Sequence, residues 1–410
     1  MTDLHERFRS LRRTPAPDLW SEITDRPPIV APPTREARRW VAATVAALVA
    51  AAGFAVAVVA FRSEKDVGGP PSGSPVRALR GEIAATFAAG EDPRSVVYGA
   101  GSVWVAVSNG DGTFGGRILR IDPVTNETVA EISVETIPTW EVGGGAMVVE
   151  GDNLWITGGV ETPGGFESPG GGSDAAVTRI DVSTNEVVDL FTLGGEVGAD
   201  LAFLDGDLWV LLFGDESVDN SMEVVRVDPE TGRVLTRIPL SSSWAHTLVP
   251  AEGRLVVYEG GDGAVNVDGN LTSIDPIGGV TTTVGVPSRY FEGGPVLWRG
   301  ELWFASDRGF SRFDPASNTV MGGGQALDPS RFAFCCGFVE ADDRGIWFLG
   351  YDGLQGEGPV RLTLFDPATD AVTELVTLGD ENPVAMAVAP DSVWILNYEG
   401  TLTKVDLNQD

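Results

Sequence analysis

Ser102-Val-Trp-Val-Ala-Val-Ser108, followed by Arg120-Ile-Asp-Pro-Val-Thr-Asn126, is a phrase that this 410-residue chain repeats along most of its length. Its first half returns as Asn153-Leu-Trp-Ile156, Asp207-Leu-Trp-Val210, Glu301-Leu-Trp-Phe304, Gly345-Ile-Trp-Phe348 and Ser392-Val-Trp-Ile395. Arg254-Leu-Val-Val257 keeps the pattern with Val256 in the tryptophan slot. The second half returns as Arg179-Ile-Asp181 and Arg226-Val-Asp228, and in variant form as Ser273-Ile-Asp275, Arg312-Phe-Asp314, Leu364-Phe-Asp366 and Lys404-Val-Asp406. From Trp155 the slots fall at 209, 256, 303, 347 and 394, steps of 54, 47, 47, 44 and 47 residues. Self-similarity at that period means a propeller or a solenoid.

Within the first unit, segments 95–99, 102–107, 117–122 and 128–134 are short, rich in Val, Ile and Trp, and bounded by Gly, Asn, Asp and Pro, the marks of strands. In the turns after Asp122, Asp228 and Asp366, Asp stands at the first position and Pro at the second. An Asp side chain there bonds the backbone two residues on while Pro presets φ, so a tight hairpin follows. Four strands per period indicate a propeller blade. Seven units predict an all-β, seven-bladed β-propeller with four-stranded blades over residues 81–410. The last unit holds only three strands, 384–388, 393–396 and 402–407, and residues 81–87 supply its fourth, so the chain ends close the ring. The repeated tryptophans read as core between blades, each hiding roughly 150–250 Å².

Residues 40–61 carry no charge over 22 positions, about 33 Å of helix, enough to cross a bilayer. Residues 1–39 contain eight Arg against six Asp or Glu, with Arg35, Arg38 and Arg39 beside the apolar run. The positive-inside rule then places a short cytoplasmic tail (1–39), a single transmembrane helix (40–61), a Gly/Pro/Ser-rich flexible linker (62–80) and an extracytoplasmic propeller at the cell membrane. A cleaved signal peptide is the alternative, since Ala-Val-Val-Ala60 precedes Phe61. The long leading segment and the length of the apolar run favour the uncleaved anchor.

Net charge is −31. With the tail at +2 and the anchor neutral, the remainder carries −33. Nucleic acid is therefore not expected as a partner, because phosphate contacts supply most of that affinity. Such a charge suits a soluble domain facing anionic headgroups. Asn109-Gly-Asp-Gly-Thr113 and Asn266-Val-Asp-Gly-Asn270 are oxygen-rich but lack EF-hand spacing and read as ordinary turns. No cofactor or metal site is expected. The two cysteines are neighbours, Cys335 and Cys336. Their Cα atoms stand at most about 3.8 Å apart, below the usual disulfide range near 5.5 Å, so a bond between them is strained. A vicinal disulfide and a pair of buried thiols beside three phenylalanines both fit.

Loops joining first to second strands are short, and so are the Asp-Pro turns. In a propeller both lie on one face, which is plain and structural. The other face receives the long connections 157–176, 214–222, 259–270 and 350–359 and the inter-blade segments 135–146, 241–247, 287–294 and 326–338. Irregular loops on a rigid scaffold are where binding usually lives. The candidate ligand site on that face comprises Trp140, Trp244, His246, Arg289, Tyr290, Arg331, Cys335 and Cys336, with Arg94 and Asn382 at similar positions in their own units. Phe291, Phe332 and Phe334 read as fillers between blades.

In the Val-Trp-Val and Arg-Ile-Asp-Pro-x-Thr-Asn phrases, residues 81–410 resemble the bacterial propeller superfamily of virginiamycin B lyases and quinoprotein-like repeat proteins. The resemblance implies blade architecture, and function does not transfer with it. A lyase reading makes His246 the general base and Arg289 or Arg331 the holder of an anionic intermediate. A quinoprotein-like reading accommodates the adjacent cysteines but not a seven-bladed ring or the missing tryptophan-docking signature. Against both stands a membrane-anchored binding or sensing module for an unidentified cell-envelope ligand or protein. That module is the expectation, since one isolated His beside Trp is more often structural than catalytic.

Overall fold

A computed structural model describes residues 79–410 apart from 110–114, 137–146, 162–172, 196, 214–221, 242–244, 260–268, 287–293, 307–308, 322–336, 352–357, 380 and 410. The expected tail, anchor and most of the linker lie outside the described residues. Among the described residues no helix is long and apolar enough to cross a membrane.

The described residues form seven four-stranded antiparallel sheets. Blade 1 runs through Pro93–Gly99, Ser102–Ser108, Gly116–Ile121 and Thr128–Val134, within two residues of the expected bounds. Six sheets use strands in chain order. The seventh joins Pro383–Val388, Ser392–Asn397 and Thr401–Gln409 to the N-terminal strand Leu79–Ala88, which pairs antiparallel with the last strand from Leu79 opposite Gln409 to Ala88 opposite Thr401. The closure predicted over 81–87 is therefore present and slightly longer, taking two residues assigned to the linker. First strands of successive blades touch around a complete circle, so each lines the central channel. Two loops expected to be long are shorter, because their strands continue: blade 2 keeps pairing along Asn153–Glu161 and Ser173–Asp181, and blade 4 along Arg254–Glu259.

Local chemistry accounts for the plain face. In blades 1, 3, 4 and 5 the first hairpin turns on two residues with positive φ, such as Ala100 (49°) and Gly101 (71°), the mirror-image turn whose twist matches paired strands. In the second hairpin Asp122 Oδ1 accepts the N–H groups of Val124 (2.7 Å) and Thr125 (3.2 Å), and Asn126 N–H closes on Asp122 O at 2.9 Å. Asp181, Asp228, Asp275 and Asp314 repeat this geometry. The fifth turn residue takes positive φ, as in Asn126, Asn185 and Asn318, which is why Asn, Gly or Asp stands there.

The core is seven separate apolar clusters, one at each junction between neighbouring blades. Each contains the tryptophan-slot residue of the preceding blade. Trp104, Trp347 and Trp394 are wholly buried and none of the six is more than 4% exposed. They are scaffold, as expected. The sequence did not disclose what lies over them. Cross-strand register sets Trp104 opposite Arg120, Trp155 opposite Arg179, Trp209 opposite Arg226, Trp303 opposite Arg312 and Trp394 opposite Lys404. Each cation sits 4.9–5.8 Å from its ring centroid, within cation–π range. Blade 6 has Leu364 opposite Trp347, and Arg344 covers that ring from the first turn instead, at 4.7 Å. Blade 4 lacks both partners, with Val256 opposite Ser273.

The same position ties one blade to the next. Lys404 Nζ donates to Pro123 O at 2.9 Å, across the ring closure. Arg120 Nη1 donates to Val182 O (2.6 Å) and Asn185 Oδ1 (2.9 Å), and Ser273 Oγ to Pro315 O (2.9 Å). In every case the acceptor includes the carbonyl just after the turn Asp of the following blade. Arg120→Ala removes a ring contact and three charge-assisted bonds, a loss of about 2–3 kcal/mol. Arg312→Ala, which loses its ring contact and an ion pair to exposed Glu301, costs about 1 kcal/mol or less. Urea titration followed by tryptophan fluorescence separates the two, and equal midpoint shifts would refute the inter-blade role.

Candidate functional site

Four first strands are interrupted at the same register. In blade 1 Pro93 pairs with Val107 and Ser95 with Ala106, leaving Arg94 as an extra residue. In blade 3 (Val197–Leu204 as first strand) the extra residue is Ala199, in blade 4 it is His246, and in blade 7 it is Val384. Each bulge lies two to three residues past the tryptophan slot of the neighbouring strand, at the end where the long connections enter. A bulge bends its strand and re-aims one side chain, and bulges gather beside active sites. The expected likeness of Arg94 and His246 is therefore a shared backbone device. Asn382 is the residue before its bulge pair and corresponds to Asp92. Its carbonyl accepts Tyr398 N–H (2.8 Å) as Asp92 O accepts Ser108 N–H (3.1 Å).

Of the residues expected to form the site, Trp140, Trp244, Arg289, Tyr290, Arg331, Cys335 and Cys336 lie outside the described residues, and His246 is described by its strand position alone. Arg94 is nine-tenths buried and forms an ion pair with Asp92 at 2.5 Å. Asn382 Oδ1 accepts the Tyr351 hydroxyl at 2.7 Å. The Tyr351–Asn382 bond links blades 6 and 7 on the long-loop face. The oxygen-rich stretches 110–113 and 266–268 also lie outside the described residues.

The structure adds three carboxyl groups that the sequence reading passed over. Asp200, 3% exposed, accepts the N–H of Leu201 at 2.7 Å and that of Leu248 at 2.8 Å. It thus holds blade 4's first strand two residues beyond His246. Burial pushes this carboxyl well above the usual range, and the charge of Glu340 adds to the push, while the two N–H donors oppose it. Glu259, 2% exposed, ends the strand facing Ala245, immediately beside the His246 bulge. Thr272 Oγ1 donates to it at 2.5 Å, and burial raises its carboxyl despite that bond. Glu340 sits on the first strand of blade 6, Phe338–Asp342. Although its surface is exposed, desolvation by the surrounding ring, with the charge of Asp342 beside it, lifts its carboxyl to about 7. The signal was available for Asp200, a single charge inside the apolar run 197–204. Glu259, expected in the loop 259–270, is the last residue of its strand, directly before Gly260-Gly261.

The backbone position of His246 is thus bracketed by two buried carboxyls held toward the protonated state, which suits proton holding or polar recognition. Among the described residues no group of three or more His, Cys, Asp and Glu side chains is placed to hold a metal ion.

The raised groups and the turn aspartates have opposite pH signatures. Unfolded, Glu340 releases its proton in the usual carboxylate range. Folded, it holds the proton to about 7, so its contribution to stability falls as pH rises between those points. Asp181, Asp228, Asp275 and Asp314 are held below the usual range by hydrogen bonds from their own turns. Their contribution is present above that range and is lost as pH falls through it. Thermal midpoints measured against pH should therefore decline on both sides, and Glu340→Gln should flatten only the decline toward neutrality. An unchanged profile in that variant would remove the channel carboxyl from the account.

No protein-family model matches this chain, and no curated protein matches it. Solved structures do. A catalytically inactive histidine-to-alanine variant of virginiamycin B lyase from Staphylococcus aureus with quinupristin superposes with a TM-score of 0.52 at 13% identity, covering 80% of this chain and 99% of that one. A chain of the mitotic checkpoint complex gives a TM-score of 0.55 at 11% identity over 84% and 98%. A chain of Kuenenia stuttgartiensis hydrazine synthase gives 0.55 at 14% over 83% and 100%. At these identities the likeness shows the fold alone, a scaffold that serves enzymes and protein assemblies alike.

Proposed function

We propose that this chain is a membrane-tethered binding module, its propeller held outside the cytoplasm and its ligand, a cell-envelope component or a partner protein, taken at the long-loop mouth of the channel. The observation that carries this reading is the set of four bulges at one end of the first strands. They bend the first strands at the end where the long connections enter, whereas the opposite face is consumed by turns and inter-blade ties. The uncharged run 40–61 and the arginines before it support the anchor and its orientation. Arg289, Arg331, Trp140, Trp244, Tyr290 and the pair Cys335–Cys336 belong by chain position to connections entering that mouth, and their chemistry suits anchoring contacts.

A second reading, a lyase-like enzyme, is favoured by one observation: His246 stands at a bulge beside Asp200 and Glu259. Histidine and carboxyls of raised proton affinity are components of general acid–base catalysis. One experiment serves both readings. Full-length protein in detergent is used to recover partners from envelope extracts, beside an Arg289→Ala/Arg331→Ala form and a His246→Ala form of equal thermal stability. The binding reading expects recovery to fall about tenfold in the double variant, roughly the loss of one hot-spot contact. Equal recovery by all three forms sinks the proposed mouth. Turnover of an envelope component that disappears only with His246→Ala transfers the case to the enzyme.

A further inference from the structure

The seam between blades 3 and 4 holds a carboxyl that bridges two strands and meets no cation. Asp200 pairs with Leu211, one of the apolar residues packed between these blades, so its side chain enters that seam. Its two oxygens accept from different strands. Oδ1 takes the N–H of Leu201 in its own strand at 2.7 Å, and Oδ2 takes that of Leu248 in blade 4's first strand at 2.8 Å. Among the described residues no Lys or Arg forms an ion pair with it. A carboxylate that is 3% exposed and answered only by two amides is costly, and the neutral acid far less so.

Both strands that it joins are interrupted beside it. The extra residue of blade 3 is Ala199, directly before Asp200, and that of blade 4 is His246, two residues before Leu248. A bulge leaves its residue out of the ladder, so the Asp200–Leu248 bond ties two inner strands where each is least held by its own sheet. The matching positions in blades 1, 4, 6 and 7 are Ser95, Thr247, Phe338 and Ala385, none of them ionisable. The titratable groups facing Asp200 come from two other blades. Blade 4 brings the backbone position of His246, and Glu259, which follows Leu255 and Val257 along the same seam and is held by Thr272. Blade 6 brings Glu340, whose charge opposes ionisation of Asp200, with Asp342 beside Glu340. Blade 2 packs on the opposite face of the strand, against Leu201.

We propose that Asp200 is a proton-dependent latch on the mouth of the channel: protonated, it stays in the seam and holds blade 4's first strand with its His246 bulge; ionised, it takes on water and releases that strand. The latch rests on the binding reading for its purpose, since it sets the mouth at acid pH and loosens it as pH rises. The direction follows from linkage. An opened seam gives Asp200 ordinary hydration and the ordinary carboxylate range, whereas the closed seam holds it well above that range. Closure is fully supported below the ordinary range and loses support as pH rises through the interval between the two.

The test is hydrogen exchange of the full chain in detergent, corrected for the pH dependence of intrinsic exchange. It is read on peptides covering Ala245–Ala251 and, for reference, Pro93–Gly99, the bulged first strand of blade 1. Opening at Ala245–Ala251 should grow by up to about tenfold per pH unit across that interval, and Pro93–Gly99 should not follow. Asp200→Asn, a neutral isostere, should keep the segment closed at every pH. Glu340→Gln, at an exposed position, should narrow the interval, and Glu259→Gln should leave it as it is. No pH dependence, a parallel loss at Pro93–Gly99, an unchanged response in Asp200→Asn or its disappearance in Glu259→Gln would each overturn the latch. Where Asp200→Asn folds poorly, Glu340→Gln decides, and an unaltered interval there overturns it too. No ligand enters this measurement, so failure of the latch is separate from failure of the mouth, which the recovery experiment reads.

Discussion

Seven wedges must close a circle simultaneously, and the residue in the tryptophan slot is the wedge. It lies in the junction with the following blade, never in the middle of its own sheet, so each sheet depends on its neighbour for burial. Burying an indole stabilises on the order of 4–6 kcal/mol at most, but a ring shares that gain only when the last junction forms. The cation over the indole makes the junction directional. Arg120 lies on Trp104 in its own blade and bonds a turn carbonyl in the next, so one side chain fixes both the face of a sheet and its angle to its neighbour. Lys404 does the same between the last blade and the first, so the closing junction uses the same device as the opening one.

This device makes one face of the ring silent. Its carbonyls receive the cations, its aspartates are occupied by their own turns, and its hairpins are of the tightest kind. The opposite face has different constraints. There the first strands bulge, the connections lengthen, and the carboxyls of Asp200 and Glu259 are buried. Asp200 is the hinge between the two regimes. It is structural in holding Leu248, and it lies two residues from the bulge that carries His246.

The fold was legible because its determinants are local and repeated. Trp with alternating apolar neighbours, then a basic residue, Asp and Pro, encodes two strands and a turn without reference to the rest of the chain. Seven copies and a missing fourth strand then dictate closure. The cation–indole stack was less legible, since nothing in the spacing from Trp104 to Arg120 says that intervening residues place them opposite one another. Leu364 shows why: the phrase appears degraded there, yet Arg344 restores the contact from another turn. Of the expected site, only the kinship of Arg94 and His246 is visible, because a one-residue slip in pairing is a property of the backbone. Asp200 and Glu259 were passed over for a common reason. A single carboxylate in or beside an apolar strand reads as a solvated edge until its partners on a neighbouring strand or blade are known.

Polar rows at one matching place in blades 4 and 7 argue that equivalent positions in a repeat need not carry equivalent chemistry. Glu259 and Asn397 occupy the same strand position, and each faces a buried threonine on the next strand. In blade 4 the carboxyl is inside the sheet, and a hydroxyl at 2.5 Å satisfies it, so the row is complete and its proton affinity rises. In blade 7 a carboxyl, Glu381, stands on the connection and an amide takes its place inside, where the Thr403 hydroxyl accepts from Asn397 Nδ2 and donates to Glu381, each at 3.3 Å. Duplication supplied the same frame twice. Placing the carboxylate on the connection instead of the strand turned a short hydrogen-bond row into a longer one, at the blade where the propeller's two ends meet.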